Sequence, residues 1–286
     1  MSELLDPKLV RELAASIDLR PTKQRGQNFV TDANTVRRIV RKAQIGPDDI
    51  VLEIGPGLGS LTLGLLSTGA QVTAIEIDER LAGLLPATVE RLQPEAKDRL
   101  RVVTSDALDV TELPGPEPTA VVANLPYNVS VPVLLTLLER FPSWDRGLVM
   151  VQLEVANRLV AEPGSKIYGV PSVKLAWYCD AELAGLVPPK VFWPVPNVDS
   201  GLVRLTRREP PATTAERKQV FALVDAAFNQ RRKMLRSSLN KFFGSSARAA
   251  ETLQAAGIPE TARGEALRVQ DFAALAEQIG ANNEGD

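Results

Sequence analysis

The sequence predicts an α/β protein: a mostly parallel sheet covered by helices on both faces, followed by a small all-α C-terminal domain. Three observations predict it. From about residue 50 to 205, short apolar runs rich in β-branched residues alternate with helical patterns, the arrangement that produces parallel sheets wrapped by crossover helices. The first of these runs ends in a glycine-rich turn, Gly55-Pro56-Gly57-Leu58-Gly59, that opens a helix. Beyond Leu205 the periodicity turns helical throughout, and the proline- and threonine-bearing stretch TRREPPATTAER marks the change. The cut falls after residue 208, giving an α/β domain over 1–208 and a helical domain over 209–286.

Taken in chain order, Arg37, Arg38, Arg41 and Lys42 sit on a helix after the QNFV segment. Strands are expected at Ile50–Ile54, Gln71–Ile75, Leu100–Thr104, Ala120–Ala123, Gly147–Leu153, Leu175–Cys179 and Gly201–Leu205. Helices fall between them at Ser60–Thr68, Glu79–Leu92 and Pro132–Arg140. The last two strands are separated by a proline-rich stretch from Val187 to Asn197 and by no convincing helix. The sheet should therefore end antiparallel, because a parallel return needs a crossover, usually a helix. In the tail, Val220, Phe221, Val224, Ala227 and Phe228 recur at helical spacing after a cap near Thr213, Thr214 and Glu216. Further helices are expected over Arg231–Phe243, Ala247–Ala256 and Asp271–Ile279, with Gly257-Ile258-Pro259 as a stop and ANNEGD as a frayed end.

Composition narrows the chemistry. At 286 residues and 44% hydrophobic, the chain can bury a core without a disulfide or metal staple. Its one cysteine, Cys179, excludes an internal disulfide and a Cys-only zinc site, and reads as a buried thiol. The absence of histidine excludes Ser-His-Asp and Cys-His nucleophiles, His-bound metals and zinc deaminase sites. What remains is carboxylates, amides, aromatics or a cofactor. The opening MSELLDPKLVREL lacks the basic and apolar regions of a signal peptide, and no run reaches the roughly 18 apolar residues of a membrane span. A reducing cytoplasm is expected, with no membrane partner. The net charge of −2 is uneven: residues 201–250 hold eleven Lys/Arg against three Asp/Glu, a local +8, which leaves −10 for the rest. Such an asymmetry suits a basic face for a polyanion.

The glycine loop lets a ligand approach the backbone in the crevice beyond the strand ends, where open α/β sheets bind one. Pro56 and Ser60 break the GxGxxG dinucleotide pattern. Glu76, twenty-one residues after Gly55 and at the end of the second strand, is placed to accept both hydroxyls of a ribose. Together they indicate an adenosine-containing cofactor, without choosing between NAD and S-adenosylmethionine. Asp106 follows the third strand, where it can meet the cofactor's adenine amine or cap a helix. The segment Asn124-Leu125-Pro126-Tyr127-Asn128 follows the fourth strand. An exocyclic adenine amine is a poor nucleophile because its lone pair is delocalised into the ring. Two fixed acceptors, the Asn124 side-chain oxygen and the Leu125 carbonyl, would draw it toward tetrahedral geometry, with Pro126 stiffening the turn. Tyr127 offers an aromatic face for a flipped-out base. A sulfonium methyl donor needs no histidine base.

The ordered series GQNFVTD (Gly26–Asp32), EIGPGLGSLT (Glu53–Thr62), IEID (Ile75–Asp78), SDAL (Ser105–Leu108), NLPYN (Asn124–Asn128) and VFWPVPNVDSGLVRL (Val191–Leu205) resembles the rRNA adenine N6-dimethyltransferase family. The likeness runs from about Gln24 into FNQRRKMLRSSL (Phe228–Leu239) in the helical tail. It implies a class I, Rossmann-like S-adenosylmethionine methyltransferase sheet with an antiparallel last strand. It also implies two adjacent adenosines near the 3′ end of 16S rRNA as the target, in an assembling small subunit. By position, Asn28 and Val30 would meet the methionine end of the cofactor, Gly55 and Gly57 would form its loop, and Glu76 would take the ribose. Asp106 would meet the adenine, and Asn124 would stand at the transfer point. Phe192 would pair with Tyr127 to sandwich the target base. Val30 stands where leucine is usual, a one-methylene change on an apolar contact. NLPY in place of the NIPY of resistance-type 23S rRNA enzymes leans toward the small-subunit branch.

Arg231, Arg232, Lys233 and Arg236 are too dense to pack without partners and are expected on RNA phosphates, the chain acting as a monomer. Lys23 and Arg25, with the basic residues at 37–42, either join them at the entrance or form a solvated face. Trp144, Trp177 and Trp193 read as packing residues. The rival readings are a 23S rRNA methyltransferase, a noncatalytic ribosome-assembly factor, and a nicotinamide dehydrogenase, which accounts for neither NLPY nor the basic tail.

Overall fold

A strand buried on both faces reads as an unbroken apolar run, and the runs at Val51, Ala120 and Gly147 form the middle of a seven-stranded sheet. The computed structural model describes residues 4–21 and 27–281; Lys23, Gln24, Arg25 and Gly26 lie outside them, as do residues 282–286 of the tail. The strands are β1 (Phe29–Val30), β2 (Ile50–Ile54), β3 (Gln71–Glu76), β4 (Leu100–Thr104), β5 (Ala120–Asn124), β6 (Arg146–Gln152), β7 (Cys179–Val187), β8 (Phe192–Trp193) and β9 (Ser200–Arg207). Their order in the large sheet is β4-β3-β2-β5-β6-β9-β7. Strands β2, β3, β4, β5 and β6 pair in parallel, and β9 runs antiparallel to β6 with Met150 opposite Leu202. The antiparallel ending expected from the missing crossover is present. The edge strands β4 and β7 are the ones with partly exposed faces. A separate antiparallel ribbon joins β1 to β8, with Phe29 opposite Trp193 and Val30 opposite Phe192.

Twelve α-helices are described: α1 (Pro7–Ser16), α2 (Ala33–Ala43), α3 (Ser60–Leu66), α4 (Glu79–Leu92), α5 (Ser130–Arg140), α6 (Leu153–Leu159), α7 (Val170–Ala176), α8 (Arg217–Asn229), α9 (Leu235–Ser238), α10 (Asn240–Phe243), α11 (Ser246–Ala255) and α12 (Val269–Ala281). Asp6, Asp32 and Asp78 cap the first turns of α1, α2 and α4 with their carboxylates. By contacts the chain divides into two compact units, Met1–Ala156 with Ala181–Arg207, and Asn157–Asp180 with Arg208–Asp286. Residues 157–180 thus group with the helical unit that takes up the chain again at Arg208. The first unit has a continuous core through Val36, Val51, Leu63, Val72, Val122 and Leu202. In the second, Phe228 packs 6.3 Å from Phe272, and Tyr168 donates to the Leu267 carbonyl.

Two expected elements differ. The strand expected at Leu175–Cys179 is instead the end of α7, and β7 begins only at Cys179. Pro171 at the first helical turn and the Ser172 hydroxyl, which accepts from Gly169 N–H, start a helix that buries Val173 and Leu175. The single helix expected over Arg231–Phe243 is two short ones, α9 and α10, entered through a turn at 231–233. Arg231 is pulled out of a helical role by Glu265 and the Ser165 carbonyl.

Candidate active site

The parallel strands β2, β3, β4 and β5 end along one rim, and a cavity of about 460 Å³ opens there. It is of the size that encloses a small-molecule ligand, typically ~300–1,000 Å³. Gly55 and Gly57 turn the chain out of β2 at φ +66° and +58°, values that only glycine adopts without strain. At Gly57 a Cβ would come within 2.7 Å of the Phe29 ring, so the loop presses against β1. Ser60, at the start of α3, donates to the Val30 carbonyl at 2.5 Å and ties β1 to the loop.

Glu76 ends β3 with its carboxylate inside the cavity wall. One oxygen accepts from Gly57 N–H at 3.1 Å and the other from Asp78 N–H at 3.0 Å. Burial raises its pKa, and those amides oppose the shift. Each oxygen keeps a lone pair for a further donor. Asp106 lies at the end of β4, where one oxygen accepts from Leu108 N–H at 2.9 Å; it caps a turn and still lines the cavity. Glu76 and Asp106 thus line one cavity, together with Ile77, which is 66% exposed.

At the other end of the cavity, Asn124 closes β5. Its Nδ2 donates to the Asn28 carbonyl at 3.0 Å, while its Oδ1 is buried and has no partner. A buried acceptor without a donor is a rare and costly feature, worth about 1–3 kcal/mol. The bond to the Asn28 carbonyl thus fixes the amide and leaves its oxygen buried, able to accept an N–H. Pro126 lines the cavity and accepts from Val129 N–H through its carbonyl, while Leu125 is anchored by its own N–H to Met150. Asn28 and Val30 line the same cavity.

The expected clamp of Tyr127 and Phe192 is not open. Phe192 is 2% exposed: its register opposite Val30 turns the ring into the core. Tyr127 is half-buried, with its hydroxyl 2.6 Å from that of Ser200. Burial raises the Tyr127 pKa, and it stays a neutral phenol. Trp193 stacks on Phe29 at 6.2 Å, Trp177 meets Phe221 edge-on, and Trp144 is fully buried, so all three pack.

Among the basic residues, Arg231, expected on a phosphate, pairs with Glu265 at 3.0 Å and donates to the Ser165 carbonyl, ties to its own fold. Arg232 and Lys233 are exposed, and exposed Arg236 reaches Glu260 only at 3.4 Å. Of the α2 residues, Arg38 donates to the Leu186 carbonyl and Arg37 to Asn34.

The cavity also brings in residues that the motifs did not single out as ligands: Gln27, Glu53, Ile77 and Ser105. Glu53 is fully buried, and its carboxyl accepts from Thr62 at 2.7 Å. Burial and the neighbouring Glu76 push its pKa up to about 8. Ile77 carried a signal in IEID, an apolar residue just past a strand-end acid, but only the fold reveals that it is exposed on the rim. Among the described residues no group of acids and cysteine has the placement of a metal site, and no helix is long and apolar enough to cross a membrane.

A parallel sheet with an antiparallel strand inserted at one end, bearing a buried acid and an inward amide at its rim, defines a class I methyltransferase. The chain belongs to the ribosomal RNA adenine dimethylase family, whose pattern matches residues 19–280. It is 65% identical to a ribosomal RNA small subunit methyltransferase A of Streptomyces griseus over 96% of this chain and 94% of that one. It is 64% identical to the protein of the same name from Cutibacterium acnes, over 98% and 96%. Among solved structures, a dimethyladenosine transferase from Plasmodium falciparum matches 90% of this chain and 98% of its own at TM-score 0.74 and 24% identity. The 23S rRNA methyltransferase ErmE matches 88% and 100%, at TM-score 0.62 and 30% identity.

Proposed function

We propose that the protein transfers methyl groups from S-adenosylmethionine to N6 of two adjacent adenosines near the 3′ end of 16S rRNA, as a monomer in the cytoplasm during small-subunit assembly. The small-subunit target rests on relatives of that name at 65% and 64% identity, against 30% for the 23S rRNA enzyme. Residues 1–208 carry the methyl transfer, and 209–286 carry RNA contact.

The cavity fits the cofactor. Glu76 takes the ribose hydroxyls, Asp106 the adenine amine, and Ile77 packs on the base. Gly55 and Gly57 admit the ligand to the backbone, and Asn28 and Val30 lie toward the amino-acid end. When bound, S-adenosylmethionine supplies a methyl group on a positively charged sulfur. Asn124 Oδ1 then accepts one N–H of the target amine and the Leu125 carbonyl the other, which localises the nitrogen lone pair for attack. Pro126 holds the turn rigid, so the acceptors need no reorganisation. Tyr127 supplies the stacking face, and Phe192, as the core places it, supports the floor beneath the site. Arg232, Lys233 and Arg236 meet phosphates.

The observation that carries this reading is the buried, unpartnered Oδ1 of Asn124, aimed by the Asn28 carbonyl. Asn124→Ala should lower methyl transfer at saturating substrates by about 100- to 1,000-fold, the usual loss for one preorganised hydrogen-bonding group. RNA affinity should be nearly intact. Near wild-type turnover in a radiolabelled-methyl assay on 30S subunits would overturn it. Mapping the modified adenines by primer extension separates the small-subunit target from a 23S one.

A further inference from the structure

Tyr127 is tied at its far end to a strand distant in sequence. Its hydroxyl lies 2.6 Å from that of Ser200, which is fully buried at the start of β9. The sheet holds Ser200 still. It pairs with Gln152 of β6, and the carbonyl of its neighbour Asp199 accepts from Leu153 N–H at 2.9 Å. On its other side stands Gly201, where a Cβ would come within 2.5 Å of the Ala156 side chain, so β9 lies hard against α6. The main chain beside Tyr127 is fixed as well: Leu125 N–H donates to the Met150 carbonyl, and Val129 N–H to that of Pro126. A tyrosine ring turns about two side-chain bonds, so anchoring both the backbone and the hydroxyl leaves it little freedom to tilt. The residue is only half-buried, so the tie holds a partly open ring and not a core one.

We infer that Ser200 is a positioning residue for the target base: its bond to the Tyr127 hydroxyl sets the plane on which the flipped-out adenine stacks. This rests on the reading of Tyr127 as the stacking face. The exocyclic amine lies in the plane of its base, so the tilt of the tyrosine ring decides whether that amine meets Asn124 Oδ1 and the Leu125 carbonyl together. Small errors in such alignment cost rate. A phenol cut loose from its buried partner must find another, and the ring turns with it. Ser200 is not among the described residues lining the cavity, so cofactor binding should not depend on it.

The test measures kcat by transfer of labelled methyl to unmethylated 30S subunits. Beside it run calorimetric affinity for S-adenosylhomocysteine and filter-binding affinity for the subunits. Ser200→Ala and Tyr127→Phe remove the same bond from its two ends, and each should lower kcat about tenfold, the scale of one hydrogen bond. Together they should lower it no further than either alone, with both affinities unchanged. A fall of about a hundredfold in the double variant means two independent effects and overturns the inference. So does a wild-type kcat in Tyr127→Phe, or a Ser200→Ala protein whose cofactor affinity falls with its kcat, the mark of a merely structural role. Tyr127→Ala keeps the stacking role itself accountable, because losing the ring should cost more than losing the bond. Wild-type turnover in Tyr127→Ala removes Tyr127 from the base site, and the inference falls with it. An impaired Tyr127→Ala beside a wild-type Tyr127→Phe keeps the stacking role and removes Ser200 alone.

Discussion

At the residue scale, Glu53 is the least expected group. It lies in the EIGPG segment and is held with a raised pKa of about 8 by burial and the nearby Glu76, against the pull of the Thr62 hydroxyl. In the unfolded chain a glutamate titrates near 4.5. Between those two values the folded protein holds a proton that the unfolded chain has released, so stability falls as pH rises across that window. Urea unfolding from pH 5 to 8 should show this decline, and Glu53→Gln should make the curve flatter; an unchanged slope would refute a neutral Glu53. Gly57 offers a second test. Alanine there must hold φ near +58° and push against the Phe29 ring at 2.7 Å. The backbone strain alone is about 1–2 kcal/mol, and displacement of Phe29 disturbs the segment carrying Asn28 and Val30. Cofactor affinity should fall more in Gly57→Ala than in a surface control. Asn124, Glu76 and Asp106 were legible as site residues because strand ends in an α/β sheet are where ligands gather. Gln27 and Glu53 were not, since nothing in their spacing says which polar residues the fold brings to the cavity wall.

At the element scale, the legible parts were those with strong period and clear punctuation. Helix α4 begins and ends where its pattern does, at Glu79 and Leu92, and β2 spans the expected Ile50–Ile54. Short elements were not legible. The β1–β8 ribbon has two residues in each strand and pairs positions 164 and 162 apart, Phe29 with Trp193 and Val30 with Phe192, so no local pattern announces it. Yet that ribbon sets the site: it buries Phe192, stacks Trp193 on Phe29, and puts the Asn28 carbonyl against Asn124. Its ties include Thr31 N–H and hydroxyl on the Val191 carbonyl, and Ser60 on Val30. Ser60→Ala leaves the Val30 carbonyl without this donor in a buried place and should cost about 1–3 kcal/mol in urea denaturation. Because β1 is what loosens, cofactor affinity should drop in parallel. A loss of stability with cofactor binding untouched would show that the ribbon does not hold the site.

At the scale of the whole molecule, the charge asymmetry was legible, but the division of labour within it was not. Residues 201–250 carry a local +8. Several of those cations serve the fold: Arg204 pairs with Glu182, Arg208 with Asp180, and Arg231 with Glu265, while Arg217 donates to the Tyr178 hydroxyl. A composition count cannot tell a cation that staples a turn from one held out to a polyanion; partners and exposure can. Arg232 and Lys233 follow Arg231 directly and are exposed. Neighbours in sequence should therefore behave oppositely. Replacing Arg232 and Lys233 together by alanine should weaken rRNA binding without regard to sequence. It should also make the dependence of log affinity on log salt shallower by about 1–2, since each phosphate contact contributes ~0.7–0.9 to that slope. Arg231→Ala should leave the slope alone and instead lower stability by about 1 kcal/mol, through the lost tie to Glu265 and the Ser165 carbonyl. Filter binding of the three proteins over a salt series, beside thermal melts, decides the matter. A shallower slope for Arg231→Ala at full stability would return Arg231 to the RNA-binding set and remove the distinction between staple and contact.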